Sequence, residues 1–274
     1  MPYRHAHWFI LLLLPASVVA FSSYLAELGE AGTAKHVHAL FATLWILLLA
    51  AQSASIHHRQ RGLHRTLGLA GFFIFPIYFA GFFLVFQSEA QRIVDGDPWA
   101  TVFGPGIGTI TLISALATAW MYHAAMRNRR NVHLHARWLL VTLFLFAESV
   151  LGRILNTFVP GLLVLGLDDI RRIYDAFHVS QLLAIALAVA LYRGNPRYGQ
   201  PFVFVTVALV AQSLALELFD DFAPWRTAFL AMASWPTAVL FVPALFLGAA
   251  VSWSGWVAGR SGRAPRLDSP LRHR

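Results

Sequence analysis

A chain of 274 residues in which 58% are hydrophobic, only 12% are charged and the mean hydropathy is +0.60 falls outside the range of soluble globular domains. Its formal charge of +8 does not mark a nucleic-acid binder, because 20 of the 21 basic residues are arginines set in short loops and tails between apolar runs, which is a pattern of membrane topology. The lack of cysteine excludes disulfides, iron–sulfur clusters and thiolate zinc sites, and leaves the 12 histidines as the abundant ligands for a soft or borderline metal.

Apolar stretches of about 18 to 25 residues are long enough to cross a bilayer as helices. They predict eight spans, at 8–24, 34–56, 66–87, 102–126, 137–159, 173–192, 201–219 and 235–257. The fold expected is an all-α polytopic membrane bundle, a single domain over 1–257 with core helices at 34–159, followed by a disordered basic cytoplasmic tail at 258–274. Arg4 before the first span and Val18-Val19-Ala20 within it have the form of a signal peptide; an uncleaved helix is the reading carried forward. Loops 57–65, 127–137 and 193–200, with the two termini, hold 15 of the 21 basic residues. By the positive-inside rule both termini then face the cytoplasm, and the setting expected is a bacterial inner membrane. The sixth span carries Ala184, Ala186, Ala188 and Ala190, small residues that would let another helix approach closely.

The fifth span, with its basic approach HLHARW, holds Glu148 and Arg153 inside an otherwise apolar run. A charge at the centre of a bilayer costs roughly 2.5–3.5 kcal/mol, so both are expected to face a bundle, Arg153 with a partner and Glu148 either paired or unpaired and held as the neutral acid. Glu148 lies about 140° around the helix from Arg153, so the partner of Arg153 is expected from another span, at Glu217 or Asp175. Asn156 belongs to the same outer polar layer. In the second span His38, Trp45 and Gln52 recur every seventh residue on one face, while His36 points nearly the other way.

His38 and His178 lie at similar depth on two spans running in the same direction, which predicts an axial histidine pair for haem b. Asp175 and Tyr174 precede His178 by one turn and are placed to hold its second ring nitrogen. His57 or His58 with His123 would supply an inner pair. The competing reading is that these histidines are hydrated or hydrogen-bonded groups near the membrane interfaces. His38, His178 and Asp175 would otherwise suit a bound metal.

Gln52 following His38, HRTLG at 64–68, HARWLL at 135–140 and Arg153 later in the same helix resemble a family of bacterial predicted membrane proteins of unknown function, over residues 34–156. The family pattern has an HRxxG re-entry and an HxRWM helix, and Leu139 stands here where the pattern has Met. The resemblance implies a four-helix membrane core and no activity. A more distant likeness to diheme cytochromes b implies electron transfer. The echo between Leu63-His64-Arg65 and Leu134-His135-Ala136-Arg137 suggests a duplicated hairpin.

Four functions are therefore expected in order. The first is a b-type haem-binding redox or haem-handling protein with a membrane redox partner. The second is a small-solute or proton-coupled transporter or receptor built on Glu148, Arg153, Asn156, Asp175 and Glu217. A membrane metal hydrolase and an assembly subunit without a site follow. Lipid is a partner in each, and nucleic acid in none.

Overall fold

The computed structural model describes residues 3–219 and 222–260. Among them all regular structure is helical, and seven helices are long and apolar enough to cross a membrane, as in a multi-pass membrane protein. The predicted tail lies outside the described residues from 261 onward.

The first predicted span is not one helix. It divides into α1 (Ala6–Leu11), α2 (Leu13–Ala20) and α3 (Ser22–Ala26), with Phe21 out of helical geometry at φ −113°, ψ 27°. Residues 6–20 reach only about 22 Å at 1.5 Å per residue, short of a hydrocarbon core about 30 Å thick. The other predicted spans are long helices: α4 (Thr33–His57), α5 (Arg61–Val94), α6 (Pro98–Arg127), α7 (Val132–Phe158), α8 (Ile170–Gly194) and α9 (Gln200–Phe219). A short helix α10 (Ala223–Ala231), unforeseen in the sequence, precedes the last, α11 (Thr237–Ala258).

Helices α5 and α6 form the centre. α5 packs on α4, α6 and α11; α6 packs on α7, α9 and α11; α7 and α9 also meet α8, while α1 leans on α4 and α2 on α7. The seven-residue face foreseen on α4 meets α5 along its length. His38 lies beside Gly81, Trp45 stacks on Tyr78 with ring centroids 5.8 Å apart, and Gln52 reaches Gly68. Phe75 of α5 stacks on Tyr122 of α6 at 4.0 Å, and the Trp45 indole N–H donates to Thr142 of α7 at 3.1 Å. These rings are buried, and aromatic pairs of this geometry contribute about 0.5–1.5 kcal/mol beyond their area.

Of the small residues on α8, Ala184 and Ala188 face the bundle, with Ala188 fully buried, while Ala186 and Ala190 are exposed; a second small-residue seam lies on α11. Ala244, Gly248, Ser252 and Gly255 share a buried face of α11. A Cβ at Gly248 would stand 2.8 Å from Pro76 Cα of α5, and one at Gly255 2.8 Å from the His123 carbonyl of α6. Small residues allow this approach of backbones, and dispersion contacts hold it where lipid removes the hydrophobic drive.

At the end opposite the arginine-rich loops, α5 stops at Gly96, whose φ of +82° suits glycine. Asp97 N–H bonds the Arg92 carbonyl at 2.9 Å and Gly96 N–H the Ile93 carbonyl at 3.1 Å, a Schellman closure. The Asp97 carboxylate then caps α6, accepting from Trp99 N–H at 2.9 Å and Ala100 N–H at 3.1 Å, with Pro98 at the first helical position. α10 folds back over this end. Phe229 lies against Gly108, Trp225 Nε1 donates to the Pro105 carbonyl at 3.0 Å, and Gln87 Nε2 donates to the carbonyls of Met232 and Trp235 at 3.1 and 2.7 Å.

Candidate functional site

A chain of polar side chains runs inward along the α8–α9 seam. At the acidic end Arg171 binds Glu217 (NH1 to Oε2, 3.0 Å) and Asp175 (Nε to Oδ1, 3.4 Å). Glu217 Oε1 lies 2.7 Å from His178 Nε2, and His178 Nδ1 lies 2.7 Å from Ser213 Oγ. Ser213 donates to Gln181 Oε1 at 2.8 Å. A hydroxyl has one proton to give, so Ser213 accepts from Nδ1–H. Nε2 then faces a carboxyl oxygen, and the contact needs a proton on one of the two. The chain ends at Gln181, 1% exposed, whose Nε2 has no hydrogen-bond partner.

Glu148 stands level with that end. Gly152 of α7 faces α8, where a Cβ would meet Ser180 Oγ at 3.4 Å. The two helices run antiparallel, so the turn of α7 before Gly152, with Glu148, is level with the turn of α8 after Ser180, with Gln181. Glu148 is 1% exposed and its Oε1 makes no hydrogen bond. It lies ten residues from the end of α7, or about 15 Å at 1.5 Å per residue.

The expected constellation is only partly assembled. Arg153 bonds its own helix, from NH1 to the Ser149 carbonyl at 3.1 Å and to Ser149 Oγ at 2.8 Å, and lies over the Phe21 ring at 4.6 Å. Neither Glu217 nor Asp175 is its partner, because both bind Arg171. Depth along a span does not fix the direction a side chain takes around it. Asn156 is a clasp for the α7–α8 connection, with Nδ2 donating to the carbonyls of Leu162 and Arg172 at 2.9 Å each.

The histidines foreseen as pairs lie in different seams. His38 contacts α5, with its ring 5.1 Å from that of Phe82, whereas His178 contacts α9 and has both ring nitrogens engaged. His178 as arranged therefore offers no free ring nitrogen to an iron ion, and it packs in a different seam from His38. His36 bonds Tyr24 at 2.7 Å. His123 bonds Ser254 of α11 at 3.2 Å, while His57 lines a cavity of about 70 Å³ between α1, α4, α5 and α7 together with Gln52, His64 and His135. The two histidines of the sequence echo thus meet in one place. His64 Nδ1 lies 3.3 Å from the Gln52 carbonyl and His135 Nδ1 2.8 Å from that of Ala125. Among the described residues no group of three or more His, Asp or Glu is placed to hold a metal ion, His38, His178 and Asp175 included.

Two contributors escaped the sequence reading. Arg171 lies between the fifth and sixth predicted spans and so reads as a loop charge, although its place one turn before Asp175 is an ion-pair spacing. Ser213 sits inside an apolar run, where a polar residue facing a neighbouring helix is the available signal. The chain matches no protein-family model, no curated protein and no solved structure.

Proposed function

We propose that the protein is a proton-coupled membrane transporter in which Glu148 takes up and gives back a proton in the middle of the bundle. The observation that carries this reading is Glu148 itself, a carboxyl buried in a membrane interior without a hydrogen-bond donor at Oε1. The neutral acid is far cheaper to hold there than the anion, so the residue is suited to exchange a proton rather than to anchor a fixed ion pair. Glu217, His178, Ser213 and Gln181 supply the route from the acidic end, and the His178–Glu217 contact already requires the proton it would pass on. Toward the arginine-rich end Val141, Phe144 and Leu145 of α7 are buried and apolar. Passage that way needs helix movement, as alternating access does.

The setting proposed is the bacterial inner membrane with the arginine-rich end cytoplasmic. The small cavity of Gln52, His57, His64 and His135 is the candidate solute-facing pocket at that end. The experiment is proton uptake by liposomes holding the purified protein, driven by a potassium diffusion potential and followed with a pH-sensitive dye. Wild type should acidify the lumen and Glu148→Gln should not. Equal traces from the two would overturn the proposal.

A further inference from the structure

A second built site lies at the arginine-rich end, apart from the proton route. Arg137 is counted by sequence among the loop charges, yet it sits on the second turn of α7 and is 3% exposed. It lines a cavity of about 320 Å³ together with Tyr3, His133, Ala190, Gly194 and Asn195, within the range of about 300–1,000 Å³ typical of small-molecule pockets. Its guanidinium donates from Nε to Tyr3 Oη at 3.1 Å and from NH1 to the His133 carbonyl at 3.4 Å. Those bonds use part of its five N–H donors and bring no negative charge. Among the described residues no carboxylate forms an ion pair with it.

The surroundings stabilise the guanidinium through aromatic faces but, among the described residues, supply no anion. The rings of Tyr3 and Tyr198 lie 5.3 and 5.5 Å from the guanidinium carbon, and Arg197 also lies over the Tyr198 ring, at 5.5 Å. His133 stacks on Tyr198 at 4.6 Å and 10°, which fixes its plane, and its buried Nδ1 has no partner. A buried guanidinium without a counter-charge is strongly unfavourable unless an anion completes it, and its planar fork matches phosphate oxygens two at a time.

From this we infer that Arg137, with His133, Asn195 and Tyr3, forms a binding site for a phosphate group, carried either by an anionic phospholipid headgroup or by a free phosphate ion. The position favours both sources equally in chemistry. The site is at the end of the bundle where a headgroup layer would lie, and the same end would meet cytosolic phosphate.

The test uses the full-length protein, delipidated in detergent, with two probes. Native mass spectrometry with short-chain phosphatidylglycerol, set against diacylglycerol of the same chains, reads the lipid source, and a thermal-shift titration with inorganic phosphate reads the soluble one. Wild type should retain the phosphatidylglycerol or be stabilised by phosphate, at an affinity at least tenfold above that of Arg137→Met. Because Arg137→Met removes a buried group and can fail to fold, Ala190→Phe provides a second variant that fills the cavity from α8 and leaves the Arg137 hydrogen bonds in place. It too should lose binding tenfold or more. Phosphatidylglycerol retained without a phosphate effect identifies a lipid site, and the converse a soluble-anion site. Binding of neither probe to wild type, or equal binding to wild type and Ala190→Phe, overturns the inference.

Discussion

His178 Nε2 and Glu217 Oε1 stand 2.7 Å apart with Nδ1 already committed to Ser213, so a proton resides between these two side chains whichever of them holds it. The pair is partly open to its surroundings, with Glu217 40% exposed, and ion pairs of that exposure are worth about 0–1 kcal/mol. Glu217→Gln should therefore shift the thermal midpoint in detergent by no more than a few degrees, while lowering the rate of proton uptake by liposomes about tenfold. Unchanged uptake in this variant would take the pair out of the route.

Glu148 and Arg153 should respond differently to neutralisation. Glu148→Gln keeps the shape of a buried group whose Oε1 makes no hydrogen bond, so the midpoint should hold or rise as uptake is lost. Arg153 hydrogen-bonds only its own turn of α7 and lies over the Phe21 ring. Arg153→Met should cost about 1 kcal/mol or less, and neither Glu217→Gln nor Asp175→Asn should alter that cost. A double-mutant cycle reads the coupling directly, and a coupling energy well above zero for either carboxylate would reinstate the interhelical pair.

Asp97 gives a pH dependence of known sign. Burial pulls its carboxyl up, but the Ala100 N–H, the Arg92 guanidinium and the Trp99 N–H together hold it below the usual carboxylate range. A group lowered on folding contributes stability that is complete above its unfolded value of about 3.9 and is lost as pH falls through the lower folded value. Asp97→Asn should flatten the acid limb of the stability curve below about pH 4. Asp97→Ala should cost about 0.5–2 kcal/mol at neutral pH, the range for a lost N-cap. Thermal melts between pH 3 and pH 7 distinguish these outcomes.

The α11 seam predicts a steric result. Gly248→Ala would bring Cβ to 2.8 Å from the Pro76 Cα, where backbone rather than a flexible side chain must yield, so a loss of about 1–3 kcal/mol is expected, as for overpacked cores. The same change at Gly161, which has nothing within 4 Å of its Cβ position, should be nearly neutral. Similar midpoints for the two variants would mean that α11 does not dock as closely as described.

The long helices were legible because apolar runs bounded by arginine, glycine or proline carry their own ends, as α4, α6 and α9 do. What failed had local or angular causes. The break at Phe21 depends on backbone geometry that hydropathy does not register, and α10 has nine residues, too few to read as a span. Arg137 and Arg171 were counted as topological charges, since the positive-inside rule weighs a residue by its loop and ignores where its side chain turns. Glu148 was legible as a costly group in an apolar run. Which turn of α8 it stands against was not, because the level of one helix against another is set by packing at Gly152 and Ser180.

The closeness of α11 to Pro76 and His123 also bears on the order in which the bundle is completed during synthesis. α5 and α6 are made early and meet each other directly, yet the groove between them is filled by residues 237–258, which leave the ribosome more than a hundred residues later. Until then, in a bilayer, the surface that Gly248 and Gly255 cover would face lipid. The packing of α11 against α5 and α6 is therefore the last of these contacts to form, and a chain stalled after α9 would hold its polar seam between α8 and α9 without it.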